Sequence, residues 1–456
     1  MNHVVIILAA GEGKRMRSQL PKVLHSVGGR PMLSHVVTTA RALKPDSIDI
    51  VYGHGGNSVR ARYGDADLRW CLQAEQLGTG HAVMQALPQI NRDASVLVLY
   101  GDVPLVKPET LQGLIAGLSR HAISLLSVIV DNPAGYGRII RNEAGLILRI
   151  VEERDADSAQ RAIREVNTGI LVARASDFQR WLKRTSIDNA QREYYLTDCV
   201  GLAVEEGHVV HAEVCHDPDE VQGINDKLQL AQVERAYQKR QATDLMCQGV
   251  SVLDPTRLDI RGHVNAGHDV TLDVNVVLEG DIKLEDGVSV GPNCLIRDTV
   301  IGANTEVLPN CVIEDAQIGA HCRIGPFSRI RPHTSLGQAV RLGNFVEAKA
   351  SRINDGSKIN HLSYIGDTEM GSRTNIGAGT IVCNYDGANK YRTHIGDDVF
   401  IGSGTQLIAP VKVGDGATIG AGSTVTKDAP PGKLTLSRVN QTVIKGWQRP
   451  KKGTDR

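Results

Sequence analysis

A glycine-rich loop near the start of the chain carries the first residues that could do chemistry. The segment AAGEGKRMRSQLPK (9–22) directly follows an apolar run, and its Gly11 and Gly13 leave bare backbone N–H groups beside Arg15 and Lys22. Such donors and cations can bind a triphosphate and neutralise the charge that develops when pyrophosphate leaves. The loop is therefore a candidate phosphate-binding site.

Two familiar phosphate-binding motifs do not fit this loop. The dinucleotide fingerprint requires a third glycine where Met16 stands, and a phosphate loop of the GK[ST] type requires Ser or Thr where Arg15 stands. A glycine-rich turn beside cations is often only a turn. By itself, then, the loop predicts no particular reaction.

A second set of polar residues lies in the C-terminal half of the chain. Lys349, His361 and Tyr364 fall within 342–365, and the segment NYDGANKYRTH occupies 384–394. A lone histidine is more often structural than catalytic. However, a purely structural repeat needs none of these side chains, so their placement favours an enzyme.

The framework around this second set repeats every six residues. A period of six fits neither a helix nor an ordinary strand, and it predicts a solenoid whose triangular coils have sides of one hexapeptide. Eleven of the thirteen positions on this count are aliphatic. The count runs through Val270, Val276, Ile282, Val288, Cys294, Val300, Glu306, Val312, Ile318, Ile324, Ile330, Leu336 and Leu342. Its phase then slips within 342–365 and 382–395, and we interpret each slip as an inserted loop.

The N-terminal half alternates between strand and helix patterns. Apolar runs predict buried strands over 3–8, 47–52 and 95–100, and a helix is expected after Pro31. This alternation predicts a doubly wound α/β sheet. Ligands of such sheets bind at the carboxyl ends of the strands, which directs attention to the loops after the first and third strands.

The length of 456 residues favours two domains. We predict an α/β domain over 1–225, a linker helix over 226–248, and a solenoid with a C-terminal tail over 249–456. Past Val425 the repeat fades, and we expect the tail to fold back over the solenoid end, because an uncovered coil exposes its core. The last residues, 449–456, are expected to form a frayed basic terminus.

Composition excludes several functional classes. Lys plus Arg and Asp plus Glu are equal at 51 each, so no global field draws the chain to nucleic acid or to an anionic membrane. The eight cysteines form no CxxC pair and no zinc spacing, which favours reduced, buried thiols. The apolar run 4–10 is too short for a signal sequence or a membrane span. These features predict a cytoplasmic protein with small-molecule partners and no membrane insertion.

Several motifs resemble those of sugar-1-phosphate nucleotidyltransferases. They are LAAGEGKRM (8–16), LPK (20–22), QAEQLGTGHA (73–82), YGDVPL (100–105), GYGRII (135–140), IVEE (150–153), EVNTGI (165–170) and GIND (223–226). In the solenoid, NHLSYIGD (360–367) and GTIVCNYDGANK (379–390) match hexapeptide acetyltransferases. Nearly the whole chain resembles the family of bacterial bifunctional N-acetylglucosamine-1-phosphate uridyltransferases/glucosamine-1-phosphate N-acetyltransferases.

The resemblance implies a fold and a two-step function. The fold is a Rossmann-like nucleotidyltransferase domain followed by a left-handed parallel β-helix of hexapeptide repeats. The β-helix transfers acetyl from acetyl-CoA to glucosamine-1-phosphate. The α/β domain then transfers uridylyl from UTP, releasing pyrophosphate and UDP-N-acetylglucosamine. Mg²⁺ is the implied cofactor, and a homotrimer with sites shared between chains is the implied assembly.

In the N-terminal domain the resemblance implies roles for individual residues. Arg15 and Lys22 would contact phosphate and assist catalysis, and Asp102 and Asn225 would ligate Mg²⁺. The implied contacts to UDP-N-acetylglucosamine are Leu8, Ala9, Ala10, Gly11, Lys22, Gln73, Gly78, Thr79, Tyr100, Gly101, Asp102, Gly137, Glu152, Asn167 and Asn225. Among these, Gln73, Gly78 and Thr79 would bind uracil, while Gly137, Glu152 and Asn167 would hold the sugar.

In the β-helix the resemblance implies a second site. An amine that attacks a thioester must lose a proton, and imidazole titrates near neutral pH, so His361 is the candidate general base. The implied glucosamine-1-phosphate ligands are Arg331, Lys349, Tyr364, Asn375 and Lys390, of which Lys390 is expected to act in a neighbouring chain. The implied acetyl-CoA contacts are Ala378, Asn384, Tyr385, Ser403, Ala421 and Arg438.

Two residues depart from the family pattern. Lys14 stands where the family usually has Thr or Ser, and we expect its side chain to point into solvent. Gly404 stands where a family member has Asp, which affects only the detail of the cofactor groove. Two alternatives remain open from the residues alone. One is a single-activity nucleotidyltransferase with a regulatory or scaffold β-helix, and the other is a non-enzymatic trimeric scaffold.

Overall fold

The computed structural model describes residues 3–53, 55–63 and 67–449. The chain divides into two compact units, Met1–Arg240 and Gln241–Arg456. The division falls inside a long helix that runs from Lys227 to Cys247. Each unit is described by itself.

The N-terminal unit is built on one mixed sheet of nine strands, in the order β11-β7-β10-β6-β1-β4-β5, with β8 paired to β10 and β9. The strands of this unit are β1 (His3–Ala9), β2 (Ser26–Val27), β3 (Arg30–Pro31), β4 (Ser47–Tyr52), β5 (Leu68–Leu72), β6 (Ser95–Tyr100), β7 (Ile123–Ile129), β8 (Arg138–Arg141), β9 (Ile147–Val151), β10 (Glu165–Arg174) and β11 (Val210–Cys215). Strands β2 and β3 form a separate small hairpin. The three predicted strands are β1, β4 and β6, and they pair in parallel as expected.

Helices cover both sides of this sheet. They are α1 (Met32–Ala42), α2 (Gly56–Tyr63), α3 (Thr79–Ala86), α4 (Pro108–Gly117), α5 (Ser158–Arg161), α6 (Ala175–Leu182), α7 (Asp198–Glu205) and α8 (Lys227–Cys247). Alternate residues of β1 enter opposite cores, since Ile6 packs with α3, α6 and α7 while Ile7 packs with α1 and α4. The unit is therefore a three-layer α/β/α structure, and the α/β prediction is confirmed.

The C-terminal unit is a parallel β-solenoid with three faces. Face 1 consists of β12 (Ser251–Val252), β14 (Thr271–Leu272), β16 (Ser289–Val290), β19 (Glu306–Val307), β22 (Arg323–Ile324), β25 (Arg341–Asn344), β28 (Lys358–His361), β31 (Asn375–Ile376), β34 (Phe400–Ile401), β37 (Thr418–Ile419) and β39 (Leu434–Thr435). Face 2 includes β17 (Leu295–Arg297), β20 (Val312–Glu314), β23 (Arg329–Ile330), β26 (Glu347–Lys349), β29 (Tyr364–Gly366), β32 (Ile381–Cys383), β35 (Gln406–Ile408) and β38 (Thr424–Val425). Face 3 includes β18 (Val300–Ile301), β21 (Ala316–Ile318), β24 (Thr334–Leu336), β27 (Arg352–Ile353), β30 (Thr368–Met370), β33 (Thr393–Ile395) and β36 (Val411–Val413). The long strands β13 (Leu258–Ala266) and β15 (Val276–Leu284) contribute to both faces 2 and 3.

The inward-facing residues correct the sequence count in one region. Ile301, Val307 and Ile313 are fully buried, whereas the residues predicted there, one position earlier in each case, are only half-buried. The sides that end at 301 and 318 contain five residues instead of six. Because successive strand residues point to opposite faces, a one-residue shift turns the predicted position outward. The count of six therefore follows one row of inward-facing residues up to Cys294 and a second row from Ile318 to Leu342. Between them it passes through the outward-facing residues Val300, Glu306 and Val312.

The predicted inserted loops are also corrected in one of two places. Within 342–365 the buried residues Ala348 and Ile353 are five positions apart, so the phase slips because one side is short. There is no insertion there. Between Val382 and Ile395 a true insertion protrudes, and a bridge between Tyr385 and Lys390 closes it.

The tail covers the end of the solenoid as predicted only in its first part. The segment 426–435 covers the last coil, with Ala429 buried and β39 paired to β37. From Leu436 to 449 every residue is exposed, including Val439 at 95% and Trp447 at 66%. One short rung is enough to cover the end of the core. Beyond it, the Ser437 carbonyl accepts from the Thr424 N–H at 3.0 Å and the Arg438 guanidinium donates to the Ala421 carbonyl at 3.0 Å. The predicted frayed terminus beyond 449 lies outside the described residues.

The cysteines are all free, and six of the eight are buried, including Cys294 at its predicted inward position. Cys247 is exposed and Cys383 is half-buried, so the expectation of buried thiols is wrong for these two. Across the described ranges, no helix combines the length and the apolar character needed to cross a membrane.

Candidate active sites

A cavity of about 230 Å³ opens at the carboxyl ends of β1 and β6. These strands are parallel neighbours, and the Gly101 N–H donates to the Leu8 carbonyl at 2.9 Å, which joins the start of the loop after β6 to the end of β1. The cavity is lined by Leu8, Ala9, Ala10, Gly11, Lys22, Val23, Gln73, Gln76, Gly78, Thr79, Ala82, Tyr100, Asp102 and Glu193. Most of these were predicted. Val23, Gln76 and Ala82 were missed although they lie in or next to the recognised motifs, and Glu193 lies outside every motif.

Lys22 joins two of the predicted functional oxygens. Its ammonium forms an ion pair with the Asp102 carboxylate and donates to Asn225 Oδ1 at 2.9 Å. The glycine-rich loop passes close to Lys22 at Gly13. A Cβ there would lie 2.7 Å from the Lys22 Cβ, and Gly13 has a left-handed φ of 64°, so the position favours glycine. The ammonium of Lys22 therefore draws Asp102 and Asn225 together, and its bond to Asn225 joins residues 203 positions apart.

Asn225 is held in place by the start of α8. The Ile224 N–H donates to the Asp102 carbonyl at 3.0 Å, and the Asn225 N–H donates to Gln229 Oε1 at 2.7 Å. Asp226 caps the helix by accepting from the Gln229 N–H at 2.8 Å. The linker helix thus fixes a residue of the α/β site.

The glycine-rich loop itself is exposed. The structure does not bring Arg15 into the cavity lining, and its side chain lies in solvent. Lys14 is also exposed, as predicted, and pairs with Glu12 at 2.5 Å.

The second end of the cavity is shaped by Gln73 and Gly78. Gln73 is buried, and its Nε2 lies 3.2 Å from the Gly78 carbonyl and 3.1 Å from His81 Nδ1. A side chain on Gly78 would strike the Tyr194 carbonyl at 2.7 Å. Thr79 Oγ1 accepts from the Leu196 N–H at 3.1 Å. These contacts fix the loop before α3 against the segment before α7.

A third group of predicted residues lies around Asn167. Its N–H donates to the Gly137 carbonyl at 2.8 Å, while its buried Oδ1 accepts no hydrogen bond from the described part of the chain. Glu152 accepts from Thr197 Oγ1 at 2.9 Å, and burial, opposed by this hydrogen bond, raises the pKa of Glu152. Thr197 was missed because its role depends on this contact. Burial also raises the pKa of Tyr100, so its hydroxyl stays neutral and can donate a hydrogen bond.

The predicted metal ligands are few. No group of three or more His, Cys, Asp and Glu side chains in the described ranges could hold a metal ion. Asp102 and Asn225 nevertheless both reach one ammonium group, so their oxygens converge on one point. Two protein oxygens suit Mg²⁺, which usually keeps phosphate and water ligands as well.

In the solenoid, His361 lies at the edge between faces 1 and 2. Its Nδ1 is 3.1 Å from Asn344 Oδ1, on the neighbouring strand in register. If the amide oxygen accepts, the ring proton is on Nδ1 and the Nε2 lone pair faces away. Asn344 was missed because its role depends on stacking between coils 17 residues apart.

Face 2 gathers three of the predicted sugar-phosphate ligands. Arg331, Lys349 and Gly366 occupy equivalent positions on three successive coils. A Cβ on Gly366 would lie 2.4 Å from the Tyr364 hydroxyl, so this hydroxyl lies next to Lys349 in the same row. Two acids balance the cations. Glu347 lies 2.8 Å from Arg331 and raises the pKa of that guanidinium, while Asp367 lies 3.7 Å from Lys349.

Three of the other predicted ligands, Asn375, Tyr385 and Lys390, are not brought to this cluster. Asn375 is on face 1, beside Lys358 and Phe400. Asn384 hydrogen-bonds to Asp367, but Tyr385 and Lys390 are exposed on the protruding insertion.

Four of the six predicted acetyl-CoA residues follow one line along the edge that carries His361. The carbonyl of His361 accepts from Gly379 at 3.4 Å, and the carbonyls of Ala378, Ser403 and Ala421 accept in turn from Gly404, Gly422 and the Arg438 guanidinium at 2.7, 2.8 and 3.0 Å. Gly404 has φ of 69°, a left-handed corner that glycine and Asp both tolerate, so this departure keeps the backbone path. Small side chains leave an open edge that ends at His361.

Fold and sites together define a nucleotidyltransferase domain joined to a hexapeptide acyltransferase domain. Residues 5–167 match the MobA-like NTP transferase domain, and residues 298–332 and 392–427 match the bacterial transferase hexapeptide repeats. Bifunctional protein GlmU of Alkalilimnicola ehrlichii is 55% identical over 452 residues, covering 99% of this chain and 97% of the relative. Those of Aromatoleum aromaticum and Azoarcus are both 56% identical over 451 residues, covering 98% of this chain and 98% and 99% of the relatives.

The chain belongs to the bifunctional protein GlmU family. Membership confirms the sequence prediction of a bifunctional enzyme of UDP-N-acetylglucosamine synthesis, with a nucleotidyltransferase and an acyltransferase domain. The single-activity and scaffold alternatives are not supported.

Proposed function

We propose that the cavity of the N-terminal unit binds UTP with its base at Gln73 and Gly78 and its phosphates at Lys22. N-acetylglucosamine-1-phosphate binds next to it, where the buried Oδ1 of Asn167 accepts no hydrogen bond from the described residues and where Glu152 and Asn167 both lie against Gly137. A buried amide oxygen without a donor costs free energy, and a sugar hydroxyl or amide N–H would satisfy it. That orphaned oxygen is the observation that carries the sugar assignment.

Asp102 and Asn225 are the residues that would hold Mg²⁺, because their oxygens already converge on one ammonium. When bound, Mg²⁺ would supply positive charge to the phosphate oxygens of UTP. Lys22 would then turn from these two oxygens to the phosphates. Arg15 lies in solvent and would have to move inward to join Lys22, so the glycine-rich loop would close when the nucleotide binds.

The uridylyl transfer needs little chemistry from side chains. A phosphate oxygen of the sugar phosphate attacks the α-phosphorus of UTP in line, a new P–O bond forms, and the bond to pyrophosphate breaks. No covalent enzyme intermediate is required. Lys22 neutralises the negative charge that grows on the departing pyrophosphate.

In the solenoid, His361 acts as general base toward the amine of glucosamine-1-phosphate. With its Nδ1 proton directed at Asn344, the Nε2 lone pair takes a proton from the nitrogen as the C–N bond forms. The C–S bond of acetyl-CoA breaks, and coenzyme A leaves as a thiolate that acquires a proton. Arg331 and Lys349 hold the sugar phosphate.

Acetyl-CoA lies along the edge of Ala378, Ser403 and Ala421, which ends at His361, with Arg438 near its far end. Tyr385 and Lys390 are exposed on the insertion, so we assign these two residues to a neighbouring chain of a homotrimer. Asn375, on face 1, lies apart from Arg331 and contributes to the same shared site.

An omission experiment tests both assignments. Protein, glucosamine-1-phosphate, acetyl-CoA, UTP and Mg²⁺ should yield free thiol and pyrophosphate, and removal of acetyl-CoA should abolish both. Pyrophosphate without thiol would contradict the acetyl-transfer site.

A further inference from the structure

A lysine and a histidine make contact directly behind the Lys22 cluster. Nζ of Lys227, the first residue of α8, lies 3.1 Å from Nδ1 of His25, which terminates the short 3-10 helix Lys22–Leu24. An ammonium can only donate, so Nδ1 is the unprotonated nitrogen and the imidazole is neutral. The contact joins segments that are 202 residues apart.

Both residues of this contact are in energetically unfavourable local positions. A lysine at the first position of a helix is opposed by the positive end of the helix dipole. His25 is 7% exposed, and its Nε2 is buried with no hydrogen-bond partner in the described ranges. Burial, followed by the Lys227 charge, lowers the pKa of His25, which keeps the ring neutral. Unfavourable local choices of this kind are retained mostly at functional sites.

The two segments are joined twice, and both links have the same form. Lys22 donates to Asn225 at 2.9 Å, and Lys227 donates to His25 at 3.1 Å, so each segment gives one ammonium to a neutral acceptor of the other. During the proposed reaction the first link is released, because Lys22 turns to phosphate and Asn225 to Mg²⁺. The second link touches neither group and remains.

We propose that the Lys227–His25 hydrogen bond is a positioning contact, which keeps Asn225 opposite Asp102 while Lys22 is engaged with phosphate. The inference rests on the proposed uridylyl site, and it adds two residues that touch no substrate. His25 and Lys227 are therefore positioning residues for binding of the metal–nucleotide complex.

Kinetics of two substitutions test the proposal. Lys227→Met and His25→Leu should raise the KM for UTP and the Mg²⁺ concentration for half-maximal rate about three- to ten-fold, the effect of one hydrogen bond. The kcat at saturation should change less than about two-fold, because no catalytic group is lost. His25→Asn, whose Oδ1 can accept from Lys227, should recover most of the loss. Lys183→Met, at an exposed position of the same unit, is the matched control.

A binding measurement separates this inference from the proposed function. Mn²⁺ replaces Mg²⁺, and its electron paramagnetic resonance signal reports bound ion in the presence of UTP. The wild type should bind Mn²⁺, and Lys227→Met should bind it three- to ten-fold more weakly. Equal binding and equal KM in wild type and Lys227→Met would overturn the positioning role alone. Absence of binding in the wild type would overturn the metal site and this inference with it.

A structural role would give a different result. Loss of acetyl transfer, or a fall in the unfolding midpoint that His25→Asn does not reverse, would assign the pair to folding and overturn the inference.

Discussion

Substitution of Asn344 gives the sharpest test of the acetyl-transfer site. In the structure this side chain has one described function, a 3.1 Å contact to Nδ1 of His361, on a partly exposed edge. A hydrogen bond of this kind contributes about 0.5–1.5 kcal/mol, which corresponds to about a 2- to 12-fold change in rate. Asn344→Ala should therefore lower kcat/KM for acetyl transfer within that range. By comparison, loss of the base in His361→Ala should cost about 10²- to 10⁴-fold.

Asn344→Asp tests the direction in which the pH–rate profile of acetyl transfer shifts. A carboxylate beside Nδ1 stabilises the imidazolium, so a higher pH is needed to free the base, and the acid limb of the pH–rate profile should move upward. Thiol release with a disulfide reagent measures the rate across the pH range. Uridylyl transfer from supplied N-acetylglucosamine-1-phosphate should remain unchanged in all three variants. An Asn344→Ala rate equal to wild type, or an unmoved acid limb in Asn344→Asp, would refute the orientation of His361 by Asn344.

Three further predictions concern the remaining parts of the account. Lys22→Ala should abolish pyrophosphate release and leave thiol release intact, and equal loss of both would indicate misfolding. Burial, followed by the charge of Asp155, raises the pKa of Asp198 to about 6. The Asp198 carboxylate therefore destabilises the folded state fully above pH 6 and not at all below about pH 4. Asp198→Asn should therefore raise the unfolding midpoint of the N-terminal unit at pH 8, with a gain that vanishes toward pH 4, and calorimetry showing a larger gain at pH 4 would contradict this. Co-expression of Lys390→Ala with His361→Ala should restore acetyl transfer at about a quarter of the sites if each site is shared between neighbouring chains. No activity in the mixed trimers would place both residues in one chain.

The sequence predicted the architecture because its strongest signals are periodic and local. Strand β1 and the later positions of the count, such as Ile324 and Ile330, lie as expected. The count failed at Val300 because each coil side has two inward positions, two residues apart, and either of them can follow a period of six. Two five-residue sides, which end at 301 and 318, move the pattern from one inward position to the other, and no single residue marks either change.

The sites were predictable only where a motif supplied the residue. Lys22 and Asp102 stand in conspicuous motifs and do converge. Asn344, by contrast, acts through a neighbour that is distant along the chain, and no spacing in the sequence reveals such a contact. The exposed tail after Leu436 was mispredicted because coverage of the last coil needs fewer residues than the chain provides.

The central claim is that each unit carries its own site for one of two consecutive reactions on an amino sugar. A crystal structure with acetyl-CoA, UTP and Mg²⁺ tests it most directly. The nucleotide should occupy the cavity beside Gln73 and Lys22, and the coenzyme should lie along the edge of Ala378, Ser403 and Ala421 with its thioester at His361. Either ligand bound elsewhere at saturating concentration, with its proposed site empty, would refute the assignment of one site to each unit.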